Sequence, residues 1–432
     1  MPHRLPMTQI PLNRLAVVAT IIGVLTGLFV AALNWAAIGM ERLVYGADHL
    51  NNANPTADVT PARLAVTLVV LGFVMSCAWF IVHRWGRQPA SAVGALRGDK
   101  MPLPETAASA FLQVITVAAG APVGAENAPR LAGSLVGERI SHWLRLDLDA
   151  TRILVASAAG AALGASFHLP LAGVLFALEV LLVETSTRTV VISVVTTTAA
   201  VATTGLFVPI PSVFTTVPLN EDPYMLLLAI IVGAIAGLGG HFFSRAATHA
   251  AARAPRGPAI LWQMPLGFAI IAAIVYAYPT ALANPRSISD HLLNDDLLIP
   301  TLLGLLALLA LRVLLFLIAF RVGTIGGNLM PSFALGTIIG ALVGTLLHPL
   351  INLPIPAAAL LGAAAFLSTA MAAPLFGLIA AVEFTDMEPQ GYLPIFLTVA
   401  SAILAVRLFT VLTDQTVRAM PITYANWTGE LK

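Results

Sequence analysis

The chain has 432 residues, 58% hydrophobic and 10% charged, with 22 Lys and Arg against 21 Asp and Glu and a formal net charge of +1. A soluble domain carries about 25% charged residues, so a folded body of this composition could not be coated with polar surface, and disorder, which needs low hydrophobicity and high net charge, is excluded too. The balanced charge leaves no basic field for nucleic acid, and the single cysteine, Cys77, rules out intramolecular disulfides and thiolate metal clusters. What remains is an integral membrane protein, built as one bundle rather than a string of domains.

Residues 1–14 are basic and contain proline, and they lead straight into a long apolar run. The run is too long for a cleaved secretory signal, so it predicts an uncleaved first helix behind a short cytoplasmic segment. A bilayer core takes roughly 20 apolar residues as helix, and residues 15–40 and 64–83 are free of charge. Arg4 and Arg14 precede the first helix, Glu41, Asp48 and Asp58 outweigh Arg42 and Arg63 after it, and Arg84, Arg87, Arg97 and Lys100 outweigh Asp99 after the second. By the positive-inside rule this gives inside, outside, inside, with a cytoplasmic N-terminus. Further spans are predicted at 189–220, 223–244, 257–285 and 297–320, the last interrupted only by Arg312. Residues 106–124, 148–182, 329–349 and 357–382 are apolar but too short, too charged or too broken by Gly and Pro to be simple spans. The period is helical rather than the two-residue alternation of a barrel strand. The fold class is all-α and polytopic, with no soluble regulatory domain expected before Lys432.

The sequence repeats itself. Residues 124–133 read G-A-E-N-A-P-R-L-A-G and residues 326–336 read G-G-N-L-M-P-S-F-A-L-G, each with Gly five residues before Pro. P-L-A-G-V-L-F-A-L-E, from Pro170 to Glu179, has its partner in P-L-F-G-L-I-A-A-V-E, from Pro374 to Glu383. The two pairs are displaced by 202 and 204 residues, and one shared period at separate places argues for duplication. The halves are expected at 15–220 and 221–432; hydropathy leaves open whether they are parallel or inverted. In transporters such repeats usually meet at a midplane site.

Three Gly–Pro breaks interrupt apolar sequence: Gly98 to Pro102, Gly124 to Pro129 and Gly326 to Pro331. Backbone leaves helical geometry at membrane depth only where protein or a watery cavity satisfies it. An interrupted helix also aims its N-terminal amides, with their partial positive charge, into the gap. Three such ends on one point would make an anion pathway.

At these residues the chain resembles the CLC family of chloride channels and proton-coupled anion antiporters, whose ion-binding stretches are G-S-G-I-P, G-R-E-G-P and G-x-F-x-P. The likeness runs from about Gly94 to Tyr424. It departs in G-D-K-M-P, which carries Met101 and lacks the usual serine, and in the two residues between Glu126 and Pro129. Both departures are similar to the CLC-F branch of bacterial fluoride/proton antiporters. Ala125 stands where the family has Arg, and Asn328 and Leu329 replace the aromatic of the third stretch.

The resemblance implies two inverted halves with broken helices meeting at the midplane, a homodimer with one pathway per subunit, and a place in the bacterial inner membrane among lipid. It implies that Glu126 is the gate, competing with the anion and carrying the proton. The implied pathway passes Gly98, Lys100, Met101, Gly124, Asn127, Gly327, Asn328 and Met330, with Tyr424 in a P-x-Y-like context near the end. Met101 reads equally as a gap-filling core methionine, Asn328 as a helix cap, and Tyr424 as an interfacial tyrosine. Aligning Phe167 to Gly173 with the family's F-N-A-P-L-A-G puts Val180 where chloride/proton antiporters keep an internal proton-receiving glutamate. That loss is compatible with fluoride/proton exchange or with a passive channel. The expected function is proton-coupled fluoride export, with chloride or a broader halide selectivity, and a channel, as the alternatives.

The remaining charges read blandly. Arg312 is expected to pair or snorkel, Glu383 and Asp386 to close their own helix near water, and Glu105 to favour a helix start. No metal-ligand spacing, P-loop or clustered catalytic set stands out, so no cofactor and no enzyme activity are expected. Asp295-Asp296 and Glu221-Asp222 are acidic pairs in polar loops.

Overall fold

In the computed structural model the described residues are 10–48, 59–87, 91–209, 214–282, 285–294 and 301–413; they form helices and no strand. In the first half these are α1 (Leu12–Tyr45), α2 (Pro61–Trp85), α3 (Ala92–Leu96), α4 (Leu103–Ala118), α5 (Asn127–Trp143), α6 (Leu148–Phe167), α7 (Pro170–Leu175) and α8 (Thr187–Phe207). A π-helical stretch, Phe176–Leu182, continues α7. The second half holds α9 (Pro223–Ala252), α10 (Ile260–Ala277), α11 (Pro285–Leu293), α12 (Leu302–Arg321), α13 (Leu329–Ile351), α14 (Ile355–Ala370), α15 (Pro374–Thr385) and α16 (Tyr392–Leu412).

The helix starts follow from local chemistry. Thr60, Asp147, Ser186, Asp222 and Thr301 each accept an amide of the first turn on the side-chain oxygen, satisfying a donor that a helix start leaves orphaned. Other helices begin without such a cap, and two of these matter for the site. Glu126 and Asn328 occupy the N-cap positions of α5 and α13, and neither side chain caps its own helix.

Among the described residues nine helices are long and apolar enough to cross a bilayer. Three of them, α6, α13 and α16, lie outside the spans predicted from charge-free runs. Two have a common cause. In α6 and α13 the membrane-depth surface is spent on other helices, so Ala, Gly, Ser and Thr replace the long apolar side chains that face lipid. A Cβ at Gly133 of α5 would strike the Ala158 carbonyl of α6, and one at Gly340 of α13 would strike the Ala358 carbonyl of α14.

The halves mirror each other in their packing. α5 lies on α6 as α13 lies on α14, α6 on α8 as α14 on α16, and α1 on α8 as α9 on α16. α7 meets α15 across the junction, where the rings of Phe176 and Phe376 stand edge to face at 5.6 Å. Here one expectation is corrected. Glu383 does not close its own helix near water; its carboxylate turns to the start of α7 in the other half.

Candidate functional site

The loops before α5 and α13 meet back to back. The Gly124 amide donates to the Gly327 carbonyl at 2.9 Å and the Gly327 amide to the Gly124 carbonyl at 2.7 Å, an antiparallel pair linking the two halves. A Cβ at either position would fall on the carboxyl group of Glu126, so the two glycines leave the space that the carboxyl fills. The two breaks read from the sequence are therefore one structure, a pair of strapped loops with a carboxylate between them.

Glu126 is fully buried. Its Oε1 accepts the Leu329 amide, and the Met330 amide also faces it. Both amides belong to the first turn of α13, so the carboxylate of one half occupies the positive helix end of the other. Oε2 has no hydrogen-bond partner. Such a seat suits any small anion.

Around the carboxylate lie polar groups that the protein does not satisfy. Asn328 is 1% exposed, and neither its Oδ1 nor its Nδ2 has a hydrogen-bond partner. The hydroxyl of Ser332, one turn into α13, is likewise buried without one. Leaving a buried polar group unmatched costs roughly 1–3 kcal/mol, so Asn328, next to the amides that hold Glu126, is a group open to an ion or its water.

A buried cation sits one helical turn after Glu126. Arg130, 3% exposed, donates from Nε to the Glu126 carbonyl at 2.9 Å and from a terminal nitrogen to Asn127 Oδ1 at 3.5 Å. Its guanidinium carbon lies 5.3 Å from the centre of the Phe176 ring. Asn127 donates onward to Gln113 at 2.7 Å, and Gln113 to Ser109 at 3.1 Å.

A cavity of about 470 Å³ opens onto Glu126, Ala125 and Met330. Glu41 and Tyr45 of α1, Arg286 of α11 and Arg312 of α12 also line it. Arg312 therefore does more than pair or snorkel at a helix interface: it donates to the Ala281 carbonyl at 3.0 Å and borders the same cavity as Glu126.

The structure brings Gly124, Asn127, Gly327, Asn328 and Met330 together with Glu126. It does not bring the G-D-K-M-P break there. Gly98, Lys100 and Met101 form the link from α3 to α4, Lys100 exposed and Met101 in the apolar core. Arg139 of α5 donates to the Met101 carbonyl at 3.5 Å, and Glu138 faces the Met101 amide. Glu138 stands twelve residues beyond Glu126, about 18 Å along the helix axis. Val180 is half-buried in the π-helical stretch, and Tyr424 lies outside the described residues. Arg130 and Ser332 escaped the sequence reading; the one available signal was an arginine directly after a Gly–Pro break.

Comparison with known proteins agrees with this architecture. The sequence profile of the family described as "Voltage gated chloride channel" matches residues 71–407. The voltage-gated ClC-type chloride channel ClcB of Salmonella typhi is 27% identical over 345 residues, covering 77% of this chain and 80% of that protein. A slow cyanobacterial Cl⁻/H⁺ antiporter superposes with a TM-score of 0.73 at 23% identity, over 94% of this chain and all of the other. A CLC-type fluoride/proton antiporter superposes with 0.72 at 19% identity, over 91% and 95%. Two inverted halves with broken helices meeting at the middle is the fold they share, and the profile match spans most of the sequence. The chain belongs to the CLC family of anion channels and anion/proton transporters.

Proposed function

We propose that the chain is a fluoride/proton antiporter that exports fluoride across a bacterial inner membrane. One observation carries the reading: the Glu126 carboxylate is held by the first-turn amides of α13, so proton carrier and anion compete for one set of donors. Fluoride is small and strongly hydrated, and the seat offers closely spaced amides with the unpartnered Asn328 side chain beside them. The two-residue spacing from Glu126 to Pro129 supports the same assignment. Chloride is the second reading. It is favoured by the name of the ClcB relatives and by the distance of Met101 from Glu126.

Gly98, Lys100 and Met101 then belong to the cytoplasmic mouth at the far end of α5, and Tyr424 to the pathway on sequence grounds. A homodimer is supported by Glu179 and Glu383, carboxylates left half-buried on a surface that also exposes Leu171 and Leu375. Lipid would meet them at a cost that a second copy removes. With Arg14 in the first turn of α1 on the cytoplasmic side, the cavity bordered by Glu41 and Tyr45 at the other end of α1 faces outward.

The test is efflux from vesicles loaded equally with fluoride and chloride, read by ion-selective electrodes alongside external pH. Faster fluoride efflux with protons moving the opposite way is the expected result. Chloride equal to or faster than fluoride removes the fluoride assignment, and anion flux without protons makes the protein a channel.

A further inference from the structure

Arg130 has no part in the competition between anion and carboxylate described above, yet it is a fully enclosed cation one helical turn from the gate. Its guanidinium is held from three directions: by the Glu126 carbonyl, by Asn127 Oδ1, and by the face of Phe176 from the helix beyond. Such a group cannot swing with the gate. A charge buried in protein is tolerated only when an opposite charge stays near it, and Glu126 and Arg130 are close enough for their charges to act on each other. The other charged groups nearby, Glu41, Arg286 and Arg312, line the cavity, which Arg130 does not.

We propose that Arg130 is the fixed counter-charge of the anion site. Its guanidinium requires one negative charge at the junction, given by the Glu126 carboxylate when the gate is seated and by the transported anion when the carboxylate is protonated or displaced. Proton arrival at Glu126 and anion arrival at the amides of Leu329 and Met330 are then linked through a charge that neither ion touches. Ala125 brings no charge to the gate, so the requirement falls on Arg130. The role is that of a positioning residue for charge, and it deepens the antiport reading and rests on it.

The experiment compares wild type, Arg130→Lys and Arg130→Gln in vesicles, reading the anion KM, the maximal rate and the protons moved per anion, with fluoride and chloride as probes. Gln keeps a donor toward the Glu126 carbonyl but loses the charge together with the contacts to Asn127 and Phe176, whereas Lys keeps the charge without the guanidinium fork, so the pair separates charge from bracing of the loop. We expect Arg130→Gln to raise KM about tenfold or more, with a smaller change in maximal rate, and to cut the protons moved per anion by more than half. Arg130→Lys should restore both. An Arg130→Gln protein with wild-type KM and wild-type coupling overturns the proposal. So does Arg130→Lys behaving as Arg130→Gln, which would place the effect in the bracing. A wild type that moves anion but no proton sinks the antiport reading and the linkage with it, whereas a coupled wild type with an equally coupled Arg130→Gln sinks the linkage alone. If Arg130→Gln is not recovered folded, equilibrium fluoride and chloride binding to Glu126→Gln serves instead. That variant leaves Arg130 without its carboxylate and should bind anion more tightly than wild type; equal or weaker binding overturns the proposal.

Discussion

Glu179 and Glu383 hold each other's neighbouring helices. The carboxylate of Glu179, beyond α7, accepts the Leu375 and Phe376 amides at the start of α15 at 3.0 and 2.7 Å. That of Glu383, in α15, accepts the Leu171 and Ala172 amides at the start of α7 at 2.9 and 2.8 Å. Each half thus supplies the anionic cap that the other half's Pro-Leu helix start needs, since Leu169 and Ala373 at the N-cap positions carry no side-chain acceptor. The exchange joins the two halves at a second place beside the Gly124–Gly327 strap.

Glu383→Ala should therefore destabilise the junction without touching the anion path. Two charge-assisted hydrogen bonds are lost at one helix start, worth about 2 kcal/mol together after solvent compensation. Thermal unfolding in detergent would show the lower stability, while anion turnover per folded molecule stays near wild type. Glu179→Ala should match it from the other half. Turnover falling with stability unchanged would place these carboxylates in the transport path.

Gly327→Ala tests the seat of the gate. The added methyl would occupy the space of the Glu126 carboxyl, which ends a flexible side chain and can leave, whereas the Gly124 strap behind it cannot. The expected protein folds and conducts anion, with proton movement per anion reduced by more than half. Wild-type coupling in Gly327→Ala would mean that Glu126 works from a different position.

Asn328→Ser distinguishes ligand from cap. The asparagine does not cap α13, and both its polar atoms are buried without partners. Serine is also a good N-cap, so folding should survive. The ratio of fluoride to chloride flux should change by about threefold or more, because losing one hydrogen bond of roughly 1 kcal/mol is worth that much. An unchanged ratio in well-folded protein removes Asn328 from the anion's ligands.

The duplication was the most legible feature. Gly and Pro at equal offsets, with periods of 202 and 204 residues, pointed to two halves, and the paired loops at Gly124 and Gly327 are where those halves touch. A break in sequence, however, does not say which break it faces. G-D-K-M-P looks equivalent to the other two, yet α4 follows it directly and its backbone is held by Arg139 at the far end of α5. α6 and α13 read as too broken to span because helices enclosed by other helices need small residues rather than lipophilic ones. Arg312 read as a snorkelling charge because a linear sequence does not reveal that its side of α12 borders a cavity.

Glu126→Gln is the decisive substitution. Glutamine keeps the length and shape of the side chain, and its carbonyl can still accept the Leu329 amide. It can neither ionise nor deliver a proton. On the proposed reading the carboxylate and the anion exclude each other from the amides of α13, so an anion leaves as the carboxylate returns and a proton travels only when the carboxylate has been displaced. Removing the ionisation breaks that alternation. Fluoride-driven proton movement, followed as external pH on imposing a fluoride gradient with wild type and variant at equal density, should vanish. Fluoride turnover should also fall, because the cycle loses the internal anion that helps to expel the transported one. Uphill proton movement persisting in Glu126→Gln would remove this carboxylate from the mechanism. Should the wild type itself move no protons, Val180 in place of an inner carboxylate becomes the telling residue, and the Glu126 seat becomes the gate of a channel.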